Sequence, residues 1–252
     1  MQGILRLFSS VGWAGVVLVR SVAWFPRVLF LSRARADLFV QLYATGIRTL
    51  PVVTVVALFT GMILSLQVGL ELSRFNQEAF LGAAVMLTMI REMAPFACGI
   101  CLAAMVGSAI AAELGTMKVN DEIDALVIMG IPPLRFLAAP RVLALVLMSP
   151  LVAFYCCIIG TVGGGVVGAT QLNVDFGQFM SSAMTIAEDK DLFVGLVKAL
   201  VFGLLIGVIS VAEGLGTRHG ATGVGKSTQR AVIVSFLAIL VSGYMITRVC
   251  YQ

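Results

Sequence analysis

The sequence predicts an all-α integral membrane protein: five transmembrane helices preceded by an N-terminal interfacial amphipathic helix. Three observations carry that prediction. Of 252 residues, 60% are hydrophobic and 12% are charged, where a soluble domain carries about 25% charged residues. The mean hydropathy is +1.03, more apolar surface than a water-soluble core absorbs. Apolar stretches close to the ~20 residues that cross a bilayer recur along the chain, with the remaining charges gathered between them.

Residues 1–48 form the interfacial region. Trp13 and Trp24 lie among Arg6, Arg20, Arg27, Arg33 and Arg35. That mixture suits a helix in the headgroup layer, aromatics at its depth and arginines reaching phosphates. The segment is not a signal peptide, because Arg20, Pro26 and Arg27 interrupt its apolar stretch. Residues 50–250 make up the five-span bundle, so 1–252 form one membrane domain. The first span runs from about Pro51 to Leu70. The second covers about 80–112, roughly 50 Å of helix, so part of it tilts or protrudes. The third, about 137–170, carries Gly160, Gly163, Gly164, Gly165 and Gly168, small residues that let a neighbouring helix approach closely in lipid. The fourth and fifth occupy about 192–212 and 231–249.

Lysine and arginine set the orientation. Arg6, Arg20, Arg27, Arg33, Arg35 and Arg48 precede the first span. Lys118, Arg135 and Arg141 lie between the second and third, and Arg218, Lys226 and Arg230 between the fourth and fifth. The other two loops hold Arg74 and Lys190 among the acids Glu71, Glu78, Asp175, Glu188, Asp189 and Asp191. The N-terminus is therefore cytoplasmic and the C-terminus lies on the opposite side. The net charge of +4 follows this sidedness and gives no nucleic-acid signal.

Two motifs lead away from the function. Cys98 and Cys101 have the C-x-x-C spacing of redox and zinc sites. No second pair or histidine lies nearby, and their flanks are apolar, so they read as small packing residues. Residues 220–227, GATGVGKS, satisfy the phosphate-cradling G-x-x-x-x-G-K-[ST] pattern. A P-loop needs a buried parallel strand before it and an α/β domain around it. Here membrane spans lie on both sides, so the segment reads as a flexible basic loop. The one histidine, His219, falls in the same loop, which argues against a histidine-based active site.

The most informative stretch lies between the second and third spans. Glu113, Lys118, Asp121, Glu122 and Asp124 crowd a helix over about 113–131 within otherwise membrane-like sequence. Lys118 is spaced to pair with Asp121 and Glu122 on one face. Pro132 and Pro133 end the helix. Leu126, Val127, Met129 and Ile131 form an apolar ridge beside the acids. Such a helix fits a groove in a partner protein and equally a membrane surface. Within the spans, Arg91 and Glu92 lie about 16 Å into the second and Lys198 about 9 Å into the fourth, at helical rise. Ionisable groups at such depth mark functional positions. Their plainer readings are mutual neutralisation for Arg91 and Glu92 and snorkelling for Lys198.

The run from Gly107 to Met117, GSAIAAELGTM, then Asp121-Glu122-Ile123-Asp124-Ala125-Leu126, Met129-Gly130-Ile131-Pro132 and Pro140-Arg141, resembles the MlaE family of ABC transporter permeases. Arg91-Glu92-Met93-Ala94-Pro95 resembles that family's Arg-Glu-x-x-Pro, and Gly223–Thr228 its last cytoplasmic loop. The resemblance extends from about residue 40 onward. It implies a non-catalytic permease subunit in a bacterial inner membrane, C-terminus periplasmic, with no cofactor of its own. ATP and magnesium would be used by a separate cytoplasmic ABC ATPase dimer. It further implies a second copy of this chain, a periplasmic MCE-domain hexamer and phospholipids as partners, and no nucleic acid. By family position, Glu113, Lys118, Asp121, Glu122 and Asp124 belong to the ATPase-coupling helix. Arg91, Glu92 and Lys198 line or frame a lipid cavity, with Leu64, Leu72 and Phe75 as apolar wall. The alternative is an ion-coupled secondary transporter using Arg91, Glu92 and Lys198 as a relay. Such carriers have repeated halves, and this chain shows no internal repeat.

Overall fold

The computed structural model describes residues 32–218 and 220–251, with side chains from residue 37 onward. Residues 1–31 of the expected interfacial region 1–48, and His219, lie outside the described residues; the rest of that region is helical from Ser32, and from Asp37 it belongs to the first membrane-length stretch. The fold is all-α, without strands among the described residues. Among the described residues, five helical stretches are long and apolar enough to cross a membrane: Asp37–Arg74, Glu78–Val119, Leu134–Gln171, Asp189–Leu215 and Gly220–Tyr251. Each contains one expected span, and each is longer than expected.

The first stretch joins α1 (Ser32–Thr45) to α2 (Leu50–Arg74) through a single turn at Ile47–Thr49. The second is built from α3 (Leu81–Thr88), α4 (Ala94–Leu102) and α5 (Ser108–Val119). Between them the helix widens into π-turns at Met89–Met93 and Ala103–Gly107. Then come α6 (Glu122–Ile128), α7 (Ala139–Gln171), α8 (Phe176–Ile186), α9 (Asp189–Leu215) and α10 (Gly220–Tyr251).

The chain divides into two compact units. One comprises residues up to Arg48, Ile100–Met148 and Val201–Ser242; the other comprises Thr49–Gly99, Ser149–Leu200 and the residues from Gly243. In the second unit, α2 buries every fourth residue: Val53, Ala57, Gly61, Ser65 and Gly69. Three of those five are Gly or Ala: Ala57 and Gly61 meet Gly160 of α7, and Gly69 lies against the Leu172 side chain. A Cβ on Gly61 would overlap the Gly160 backbone, and one on Gly163 would stand 2.7 Å from the Leu58 carbonyl. In lipid no hydrophobic force drives helices together, so this backbone-to-backbone fit supplies the contact. The opposite face of α2, with Val52, Val55, Phe59 and Ile63, is exposed.

Helix α8 has no counterpart in the expected spans, because eleven residues cannot cross a bilayer. Its start is nonetheless written in the sequence. Asp175 accepts a hydrogen bond from the Gln178 N–H at 3.1 Å as an N-cap. Phe179 and Ala183 are buried, and Ser182 Oγ accepts the Ala83 N–H at 3.0 Å, satisfying a donor in the first turn of α3.

In the first unit, Leu38 of α1 packs against Ala139, Leu143 and Ala144 of α7. Gly107 lets α5 approach Ser210 and Ile206 of α9, and Gly115 does the same beside Thr217. The expected flexible loop over 220–227 is instead the first two turns of α10. Lys226 and Ser227 lie well inside that helix. Ser227 Oγ is buried and lies 2.8 Å from Thr217 Oγ1 and 3.0 Å from the Val224 carbonyl. The Gly-Lys-Ser sequence therefore packs α10 against the end of α9, and its serine hydroxyl is occupied.

Candidate functional site

The second unit gathers a cluster of charges from three helices. The π-turn Met89–Met93 carries Arg91 and Glu92. One face of α9 supplies Asp191, Gly195 and Lys198, spaced four and then three residues apart so that they stack on one stripe. The last turns of α10 supply Thr247 and Tyr251.

Arg91 grips Asp191 with two parallel bonds, Nε to Oδ1 at 2.8 Å and Nη2 to Oδ2 at 2.9 Å. This fork is the strong form of an arginine–carboxylate pair. Tyr251 donates its hydroxyl to Asp191 Oδ1 at 2.8 Å, and the Arg91 guanidinium stands 4.5 Å from the Tyr251 ring centroid. Lys198 Nζ donates to Glu92 Oε1 and to the backbone carbonyl of Arg91, both at 2.7 Å. Thr247 Oγ1 lies 2.7 Å from Glu92 Oε1 and 2.9 Å from the Gly243 carbonyl, sharing its one proton between two acceptors.

The two ion pairs have the same design. In each, one member is sealed and the other half-open: Asp191 and Lys198 are 1% exposed, Arg91 34% and Glu92 41%. The cluster thus offers one cation and one anion, adjacent in sequence and each held from behind by a buried opposite charge. Arg91 Nη1 takes no part in the fork to Asp191. An apolar crevice adjoins the cluster, lined in part by Ile90, Pro95, Phe154, Leu192 and Gly195.

The structure thus unites the three charges singled out in the sequence and adds Asp191, Thr247 and Tyr251. The charge pattern places Asp191 in a loop, but it is buried in the first turn of α9. It directly follows the exposed Glu188, Asp189 and Lys190, which hides it among solvent charges. Thr247 and Tyr251 carry no signal of their own beyond a four-residue spacing on one helix face. Leu64 and Leu72 are half-buried on α2, and Phe75 is exposed just past its end. Cys98 is buried, its Sγ donating to the Ser149 carbonyl at 3.6 Å, and Cys101 is buried as well, as packing residues are.

The first unit carries the other candidate region. The expected single helix over 113–131 is two pieces. Helix α5 continues to Val119, and Asp121 then turns the chain with a left-handed φ of 59° before α6 begins at Glu122. Across this elbow Lys118 pairs with Asp124, at 2.7 Å, and not with Asp121 or Glu122. The turn removes the continuous helical spacing that the expected pairs required. Helix α6 ends on Gly130, φ 74°, where Gly130 N–H bonds the Val127 carbonyl and Ile131 N–H the Leu126 carbonyl. This Schellman closure stops the helix before Pro132 and Pro133. Glu113 belongs structurally to α5 and pairs with the buried Arg141 of α7 at 2.9 Å. What α6 displays is Asp121, Glu122 and Asp124 beside exposed Val127, Ile128 and Met129, with Ile128 87% exposed.

Five membrane-length helical stretches among the described residues, paired charges inside one unit and an exposed apolar-acidic elbow between two stretches suit a membrane permease. Comparison with known proteins fixes the family. The model of the MlaE permease family matches residues 38–249, and this chain belongs to that family. It is 35% identical over 257 residues to a probable ABC transporter permease protein of Rickettsia felis, covering 99% of both chains. It is 30% identical over 250 residues to the intermembrane phospholipid transport system permease protein MlaE of Haemophilus influenzae, covering 98% of this chain and 94% of that one. The chloroplastic protein TRIGALACTOSYLDIACYLGLYCEROL 1 of Arabidopsis thaliana is 32% identical over 212 residues, or 84% of this chain and 61% of that one.

Proposed function

We propose that this chain is the membrane subunit of an ABC transporter that moves phospholipids between a bacterial inner membrane and an MCE-domain partner on the periplasmic side. A separate cytoplasmic ATPase, which alone uses ATP and magnesium, drives the movement. The observation that carries the proposal is helix α6. A seven-residue helix between two spans, with Val127, Ile128 and, just past its end, Met129 exposed next to three acids, fits a groove in a soluble protein. The name of the Haemophilus relative supplies the substrate class.

In this reading the N-terminus and the elbow face the cytoplasm, as the lysine and arginine distribution requires, and the C-terminus faces the periplasm. A second copy of the chain completes the pathway. Few residues in the apolar stretch of α10 are buried in the single chain, 11%, and 28% in the stretch through α2, which leaves faces for a second copy and for lipid. The headgroup meets the half-open Arg91 and Glu92. A phosphate accepts the two N–H groups of Arg91 Nη1 that the fork leaves over. Acyl chains need only apolar walls, among them Leu64, Leu72 and Phe75.

The test is purification of the affinity-tagged full chain from its native membrane. An ATPase co-purifies with the unaltered chain and is lost with Ile128→Asp, while the permease still accumulates. Retention of the ATPase by Ile128→Asp would contradict the role given to α6. A proton or sodium gradient that drives lipid transfer without any ATPase would favour the ion-coupled alternative.

A further inference from the structure

Pro95 stands in the first turn of α4 and has no N–H. In a continuous helix that N–H would bond the carbonyl four residues back, which is that of Arg91. Lys198 Nζ donates to that carbonyl at 2.7 Å. The lysine reaches it because α9 lies unusually close to the π-turn. Gly195, three residues before Lys198 on the same face, has its backbone against Ile90, and a Cβ there would stand 2.5 Å from the Ile90 carbonyl. Lys198 is also 1% exposed, so a bound lipid does not touch it without opening the helix packing.

We propose that Lys198 is a positioning residue: its ammonium replaces the N–H that Pro95 removes, and its second bond, to Glu92, sets the charged pair that faces the headgroup. Pro95, Gly195 and Lys198 form one device. Proline opens a gap in the helical bonding, glycine brings the neighbouring helix close, and lysine fills the gap. The π-turn is thereby held in the shape that directs two consecutive residues, Arg91 and Glu92, toward the same partner helix. In a regular helix consecutive side chains diverge by about 100°. The functional part of the inference rests on the headgroup reading above; the hydrogen bond itself does not.

The sequence offers a direct probe, because Arg91-Glu92 is the only Arg-Glu pair in the chain. Full chain in lipid nanodiscs, labelled with carbonyl-¹³C arginine and ¹⁵N glutamate, gives a single Arg91–Glu92 carbonyl–amide correlation. Lys198→Met is expected to shift that ¹³C resonance and to lower the melting temperature. Adding Pro95→Ala, which restores a backbone donor, is expected to move the resonance back and to recover at least half of the lost thermal stability. The proposal is overturned if Lys198→Met leaves the resonance in place, or if Pro95→Ala recovers nothing in that background. Should Lys198→Met fail to accumulate, accumulation of the double variant is the same rescue and its absence the same refutation.

A second readout separates positioning from direct lipid contact. In vesicles reconstituted with the assembled transporter and fluorescent phosphatidylethanolamine, Lys198→Arg is expected to lose most transfer. A guanidinium does not fit a sealed ammonium site, whereas a residue whose task is phosphate binding tolerates arginine. Full transfer by Lys198→Arg refutes the positioning role. Unimpaired transfer by Arg91→Gln and Glu92→Gln would instead sink the headgroup reading, with the nanodisc result for the Lys198–Arg91 bond unaffected.

Discussion

Lys198–Glu92 in the second unit and Lys118–Asp124 at the elbow are both 2.7 Å lysine–carboxylate pairs. They differ in burial. Lys198 is 1% exposed, while Lys118 and Asp124 are 32% and 53% exposed. Equal geometry therefore carries unequal energy. A pair in water loses little when broken, because solvent replaces the partner. A sealed charge that loses its partner has no replacement, and the site reorganises or unfolds. The inner cluster is accordingly a fixed structure, and the elbow is a surface free to engage something else.

Mutations sharpen this contrast, and the largest effect belongs to Asp191. Asp191→Ala removes both bonds of the Arg91 fork and the Tyr251 bond. Since Arg91 is partly open to solvent, the expected loss is about 3 kcal/mol, the lower end for breaking a buried pair, read from denaturant unfolding in detergent. Next comes Thr247→Val, which deletes one hydrogen bond to the Glu92 carboxylate at nearly constant volume and is expected to lose about 1.5 kcal/mol in the same assay. Lys118→Ala at the elbow should change stability by no more than about 0.5 kcal/mol. A loss there as large as that at Asp191 would erase the distinction between the two regions. Smallest in stability, and aimed at the role proposed for the elbow, is the joint reversal Glu122→Lys with Asp124→Lys. It should leave the melting temperature nearly unchanged and abolish stimulation of ATP hydrolysis by the permease.

The two regions also differ in how far the sequence discloses them. Composition and apolar run length reveal all five spans, because the bilayer imposes one length rule on each. They set the ends too short, since helix continues past the apolar runs: α10 begins at Gly220 although its apolar run starts near residue 231. The elbow is visible as a charged island, but its internal break is not. Asp121 adopts a left-handed conformation that a single aspartate in a helical pattern does not announce. The cluster is legible only in part. Arg91, Glu92 and Lys198 stand out as charges inside apolar runs. Asp191 hides at the rim of its span among Glu188, Asp189 and Lys190, and nothing local separates the one buried acid from its exposed neighbours. Helix α8 escapes a search for spans because it is too short, although Asp175 and Gln178 form a recognisable start.

Transfer of fluorescent phospholipid by the reconstituted transporter carrying Glu92→Gln, with ATP hydrolysis followed in the same sample, tests the account most directly. If the headgroup meets Glu92 as proposed, loss of its charge should slow transfer about tenfold while ATP hydrolysis continues. Transfer at the unaltered rate would contradict the claim that the paired charges of the second unit handle the headgroup.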